Sequence, residues 1–248
     1  MTIKATYKSG ITEEVEHLYS GEFYEKIDLV SVVIPEGVVE VPSEAFYNCI
    51  NLESVTFPTT LKTIGFNAFM GCISLKHCHI PSELHLIDFA AFKNSGLETL
   101  YIKGIRRIGE EAFYYCADLK SVTVDSLINV IEEYAFEGCR NMVTFSHKGI
   151  NVIRNSAFKD CLRLEKIDMT DVYNLGDDAF CNCVSLTEVT NLFGAAIDDD
   201  GRAPFSACRN IKHITADLSE IEIKIKEFID LYFWESADNI SITHICTE

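Results

Sequence analysis

The sequence predicts an α/β solenoid of about eight repeats, and three observations carry that prediction. An Ala-Phe pair followed three residues later by Cys recurs along most of the chain, most cleanly at Ala68-Phe69-Met-Gly-Cys72. The repeat phenylalanines, Phe46, Phe69, Phe92, Phe113, Phe136, Phe158, Phe180 and Phe205, are spaced by 21 to 25 residues. A period of that size marks a stack of similar units, none of which buries its apolar face alone. Thirdly, a short run alternating apolar and polar residues follows each unit, as in Ser54-Val-Thr-Phe57 and Ser121-Val-Thr-Val124. Such alternation is the signature of a half-buried strand.

Residues 1–28 read as an N-terminal cap. Ile11, Val15, Leu18 and Tyr19 fall at helical spacing and predict one short helix. Phe23 lies one period before Phe46, which marks a worn first repeat without its Cys.

The regular body spans residues 29–215. Four columns recur in it. The first is Val41, Ile64, Ile87, Ile108, Ile131, Ile153 and Leu175, the second and third are the Ala-Phe pair and the Cys, and the fourth runs from Leu52 to Ile211. Stacking aligns these columns into one continuous core and pairs each strand with its neighbour in a parallel sheet. The Ala-Phe-x-x-Cys segment is too short for a long helix and is expected to form one or two helical turns. Pro35, Pro58 and Pro81 follow the early strands, where a missing N–H ends a ladder. Three departures mark irregular coils: Ser95-Gly96 in a shortened unit, Pro204 with an insertion at 194–202, and a strand reaching His147 where an inward apolar residue is due.

Residues 216–248 lose the repeat. Positions 218–234 are apolar at helical intervals, and 239–245 alternate like a last strand, together a C-terminal cap.

The pattern resembles the leucine-rich repeat family in its BspA-like (treponemal-type) branch. That unit reads L-x-x-h-x-h-P-x-x-h-x-x-I-x-x-x-A-F-x-x-C, and the stretch from Leu52 through Pro58, Leu61, Ile64 and Phe69 to Cys72 fills every position. The resemblance implies a right-handed, curved coil with its parallel sheet on the concave side. It also implies a bacterial or protozoal surface protein that binds other proteins or surfaces.

The chain has 248 residues, 48% of them hydrophobic and 24% charged, with a net charge of −17. That balance argues against nucleic acid, whose recognition rests on cationic contacts to phosphate, and it disfavours anionic membranes. No apolar run reaches the ~18 residues of a spanning helix, and a monomer is expected. Residues 1–8 lack a signal peptide's apolar core, so the expected location is cytoplasmic if Met1 is the native start. It is the cell surface or outside if a leader has been removed. Seven of the ten cysteines share one register, three residues after the repeat Phe, which fits small buried thiols better than a disulfide ladder.

Catalytic signatures are missing: there is no phosphate loop, nucleophile elbow or zinc-protease motif. Three weak groupings remain. His77 and His79 share one side of a strand and would hold a metal only with a third ligand; otherwise they are solvated polar positions. Cys181 and Cys183 form a redox or metal pair, or one core and one incidental thiol. Asp198-Asp-Asp-Gly201 is rich in oxygen ligands but lacks the spacing of a calcium loop. No cofactor is expected. The candidate ligand-binding residues are instead the outward positions of the strands: Ser54, Thr56, His77, His79, Thr99, Tyr101, Ser121 and Thr123, continuing into Thr144, Ser146, Lys166, Asp168, Glu188, Thr190, His213 and Thr215. The expected function is a non-enzymatic interaction module; a structural spacer and a metal-dependent enzyme built on His77 and His79 are the alternatives.

Overall fold

Each Phe-to-Phe period makes one coil of a β-solenoid of about eight turns. The computed structural model describes residues 2–192, 196–197, 202–216 and 240–244. Two columns of parallel strands run along the stack. One is an unbroken eight-stranded sheet of two-residue strands, from Glu40–Val41 through Thr63–Ile64 and Arg107–Ile108 to Ala196–Ile197, in which each strand pairs with the one a period away. Its inward residues from Val41 to Leu175 are the predicted first column, each with 0% exposure.

The second column holds the longer strands. It is divided into three sheets. The first includes Leu29–Val33, Ser54–Thr56 and His77–Cys78; the second is Thr99–Lys103, Ser121–Leu127 and Thr144–Lys148; the third is Lys166–Asp168, Glu188–Leu192, His213–Ala216 and Ser241–His244. The first break falls at the shortened unit, where the Gly96 N–H bonds directly to the Cys72 carbonyl at 3.1 Å. At the second, the His147 ring bridges strands: its Nε2 donates to the Asp168 carbonyl at 2.8 Å. Nδ1 of the same ring is buried without a partner.

The phenylalanines from Phe23 to Phe205 form one stack, buried to 2% exposure or less. Successive rings lie 5.0–5.5 Å apart with interplanar angles of 1–10°. The spacing matches the ~4.8 Å rise between paired strands, with a small lateral offset that suits the ring quadrupoles. Phe23 belongs to this stack, so the worn first repeat is a true coil.

The α/β expectation is corrected: no helix occurs among the described residues, and the coil is built of strands and turns alone. The Ala-Phe-x-x-Cys segment is a pair of stacked turns. Two left-handed residues bracket each repeat Phe from Phe46 to Phe180, for example Glu44 (φ 56°) and Asn48 (φ 53°) around Phe46, and Asn67 (φ 52°) and Gly71 (φ 75°) around Phe69; Phe205 has only Ala207 (φ 60°). Alternate amides leave the coil altogether: the N–H groups of Glu44, Phe46 and Asn48 donate to Phe66, Ala68 and Met70 of the next coil at 2.7–2.8 Å. Those of Ala45, Tyr47 and Cys49 close i→i−3 turns. A helix would need every amide for itself; here every second one joins two coils.

The predicted N-terminal helix is likewise replaced, by a hairpin of Ile3–Tyr7 and Thr12–Val15 turning at Gly10 (φ 82°). Ile3 and Ala5 alternate inward and complete the core at its open end, pairing antiparallel with Leu29–Val33. This burial outweighs the helical spacing of Ile11, which is left 65% exposed. Thr12, Glu13 and Glu14 make the outer edge polar, which discourages strand addition. The expected final strand is present at Ser241–His244, parallel to His213–Ala216. The expected helix at 218–234 and the acidic loop at 198–201 lie outside the described residues.

Candidate functional site: the polar face of the long strands

Alternation fixes which side chains reach solvent. Val55, Leu100, Val122, Phe145 and Ile167 point into the core, so the residues between them face outward. Of the eight predicted site residues, Ser54, Thr56, His77, His79, Thr99 and Tyr101 are exposed, and Ser121 and Thr123 half-buried.

Register then aligns them into rungs. Ser31, Ser54 and His77 are partners in the first sheet; Thr99, Ser121 and Thr144 in the second; Lys166, Glu188, His213 and Ser241 in the third. A parallel rung holds Tyr101, Thr123 and Ser146. The structure therefore brings Thr99, Tyr101, Ser121 and Thr123 onto one hydrogen-bonded sheet. It places Ser54, Thr56 and His77 on another, with His79 just past its strand end.

The second sheet is the best organised part of the face. Ser146 Oγ donates to Thr123 Oγ1 at 3.1 Å, and the Tyr101 hydroxyl donates to Asp125 Oδ2 at 2.9 Å. Lys148 Nζ meets Asp125 Oδ1 at 2.5 Å. The Lys148 and Tyr101 bonds hold the Asp125 carboxyl below the usual carboxylate range, and the Asp125 bond raises the Tyr101 hydroxyl. Tyr101 is 55% exposed, its ring anchored only at its tip. Such an amphipathic side chain loses little freedom when a partner covers it. Asp125 and Lys148 were missed because the alternation that marks these strands in the sequence stops at Val124 and His147, one residue short of each.

Towards the C-terminus the face becomes charged. Lys166 pairs with Glu188 at 2.5 Å, and Asp168 accepts from Thr170 and Asn191 at 2.7–3.0 Å. Burial opposes ionisation of Asp168, but those bonds and nearby His147 outweigh it and leave its carboxyl lowered. A shallow depression of ≈ 310 Å³ lies over the second break, lined by Thr144, Phe145, Lys166, Asp168, Glu188 and Thr190 among others.

The thiols have a structural place. In each of the seven registered coils the Cys Sγ donates to the carbonyl of the repeat Phe one coil earlier, at 2.9–3.3 Å. The nine described cysteines are free, and burial pushes their pKa up, to about 12 at Cys49 and about 11 at Cys116. Cys183 belongs to this column while Cys181 is half-buried beside it, so the two are not a matched pair. Among the described residues no three His, Cys, Asp or Glu side chains converge as metal ligands. None of the described helices, there being none, is long and apolar enough to cross a membrane.

Comparison with known proteins agrees with this geometry. A leucine-rich repeat protein from Bacteroides ovatus superposes with a TM-score of 0.67 at 25% identity, covering 86% of this chain and 61% of that one. The chain therefore spans less than two thirds of that relative's length. The leucine-rich repeat protein of T. pallidum is 28% identical over 54% of this chain and 78% of its own, with a TM-score of 0.43. A leucine-rich cell surface protein of Faecalibacterium prausnitzii is 20% identical over 97% of this chain and 86% of that one, at 0.43. No curated protein matches. The family model for the BspA type leucine rich repeat region matches residues 16–143 and 151–244 in six copies. With that coverage, and with the Ala-Phe-x-x-Cys column repeated coil after coil, the chain belongs to the BspA-type leucine-rich repeat family.

Proposed function

We propose that this chain is a non-enzymatic interaction module that holds a protein partner across the outward face of its long strands. The observation that carries the reading is the in-register polar rung system centred on Thr99, Tyr101, Ser121 and Thr123. It supplies exposed and half-buried hydroxyls on a packed scaffold, the arrangement by which stacked-repeat proteins bind along one extended surface. Family membership supports it, since leucine-rich repeat proteins are typically protein-interaction or surface modules. In this reading the coil is right-handed, the strand face is its concave side, and the protein is displayed at the cell surface as an adhesin-like module.

The test places a photo-crosslinking residue at Thr99 and, separately, at the exposed Asn129 beside the short strands. In the producing cells, adducts from position 99 and not from 129 are expected. Replacing Tyr101, Ser121 and Thr123 together by Ala should remove those adducts with Tm nearly unchanged. Equal adducts from both positions, or none from 99, would remove the strand-face reading. Protease treatment of intact cells tests the location: loss of the protein places it outside, and protection until lysis places it inside.

A further inference from the structure

On the opposite kind of surface, the ridge of stacked turns, one carboxylate is out of keeping with its neighbours. Two carboxylate-bearing residues are buried among the described residues, Asp178 at 6% exposure and Glu137 at 9%. Asp178 is fully matched: it accepts from Arg202 Nη1 at 3.0 Å and Ser206 Oγ at 2.9 Å, and Lys159 Nζ lies 4.0 Å away. Among the described residues the Glu137 side chain makes no hydrogen bond and no ion pair, though the charge of Lys159 acts on it. Burial accordingly pushes its carboxyl above the usual range, with Lys159 opposing and Asp160, Glu111 and Asp178 adding to the shift.

The repeat explains why the partner is missing. In two coils the residue after the repeat Phe meets the residue two before the Phe of the next coil. Lys93 meets Glu111 at 2.5 Å in this way, and Lys159 meets Asp178. For Glu137 the facing position is Ser156, 8% exposed, which carries no charge. Lys159 is drawn to Asp178 instead. On its other side Glu137 has Tyr114, one coil earlier in the same column, whose hydroxyl is raised by burial and by the Glu137 charge. That ring already accepts one cation: Lys93 Nζ sits 4.5 Å from its centroid while paired to Glu111. The chain thus satisfies an ammonium with a carboxylate and a tyrosine face at one step of the ridge; at the next, Glu137 feels the charge of Lys159 without pairing to it.

We infer that Glu137, with Tyr114 beside it, is a receptor for a basic side chain of a partner protein. A lysine or arginine would supply the charge that Ser156 does not. The cation–π contribution of a tyrosine face and a charge-assisted hydrogen bond both strengthen where water is excluded. The nearby Asp160, Glu111 and Asp178, within a chain of net charge −17, favour approach of a cation. This surface is separate from the strand face, so it stands whether or not that reading holds.

The experiment titrates the full chain with a lysine-containing peptide and, separately, with spermidine, following the Tyr114 region by NMR. Wild type, Glu137→Gln and the distant control Glu36→Gln are compared. Saturable binding of the peptide is expected, weakened at least about tenfold in Glu137→Gln and unchanged in Glu36→Gln. Tm of Glu137→Gln at neutral pH should equal or exceed that of wild type, because an unpaired buried carboxylate disfavours folding when ionised; this shows that the loss is not unfolding. Spermidine binding as well as the peptide, with the same dependence on Glu137, would reassign the cation's source to free amines and overturn the protein-partner part. No binding to wild type, or binding indifferent to Glu137→Gln, would overturn the inference altogether.

Discussion

The two strand columns are made by the same coils, yet one is continuous and the other is broken twice. The short-strand column needs only two backbone positions and one aliphatic residue per coil, and its neighbours, the Phe stack and the Cys column, repeat almost without exception. The long-strand column meets solvent, tolerates Ser, Thr, His, Lys and Asp, and parts at the shortened unit and at His147. The lesson is a division of labour. Cohesion between coils sits on the turn and short-strand side, where uniform residues make identical contacts in every coil. The long-strand side is free to vary, and that variation is what a binding face requires.

The largest test of this division removes a ring from the stack. Phe113→Ala or Phe136→Ala should cost about 3–5 kcal/mol in denaturant unfolding, through the cavity left between two stacked rings. Thr123→Ala on the strand face should cost under about 0.5 kcal/mol. If the two costs were alike, cohesion would not be concentrated where we place it.

Next in size is the turn geometry. A Cβ at Gly71 would lie 2.1 Å from Asn48 Oδ1 and carry a φ of 75°. Gly71→Val should therefore cost about 2 kcal/mol, whereas Gly10→Ala, with nothing near its Cβ, should cost less and pay only for its φ. Equal effects would mean that the inter-coil fit at Asn48 is loose.

The Cys column gives a smaller effect. Cys139→Ala loses a buried sulfur and its bond to the Phe113 carbonyl, about 1–2 kcal/mol. Its raised pKa predicts that the native column resists alkylation near neutral pH and yields as pH rises, because only the thiolate reacts. After denaturation, without reductant, all ten thiols should titrate; fewer would reveal a disulfide.

The smallest and most pointed test is His147→Val. Its partner in register, Val124, is an inward aliphatic. The change discards one bond to Asp168 and one orphaned nitrogen, so stability should move by less than about 1 kcal/mol. Amide exchange at Phe145 and Ile167 should slow if the ring is what holds the break open; unchanged exchange would assign the break to coil length.

Much of this was legible beforehand. Every member of the four columns, from Val41 to Ile211, is buried as the period demands, and Ser95, the departure in the thiol register, sits buried against Cys116 at 3.3 Å. The outward polar positions also followed, because a strand alternates. The turns were misread although a sign was present. Asn48, Gly71, Asn94, Gly138, Asp160 and Asn182 share one position, two after the Phe, and these are residue types that accept a left-handed backbone. A helix is not punctuated in that way every 22 residues.

Other features had no local sign. Glu44, Glu111 and Tyr134 are left-handed with no intrinsic preference for it. They are held so because their amides reach the coil beyond, a bond worth more than the local strain. Likewise Glu137 reads in sequence as an ordinary surface acid, and only the facing Ser156 leaves it unpaired. Sequence by itself determined what repeats: the period, the buried columns and the face the strands turn to water, since each follows from one unit's own pattern. Tertiary structure decided what happens between units, namely where amides bond, where the sheet parts and which charge lacks a partner. Those depend on the residue one coil away, some 22 positions distant in the chain and ~5 Å distant in space.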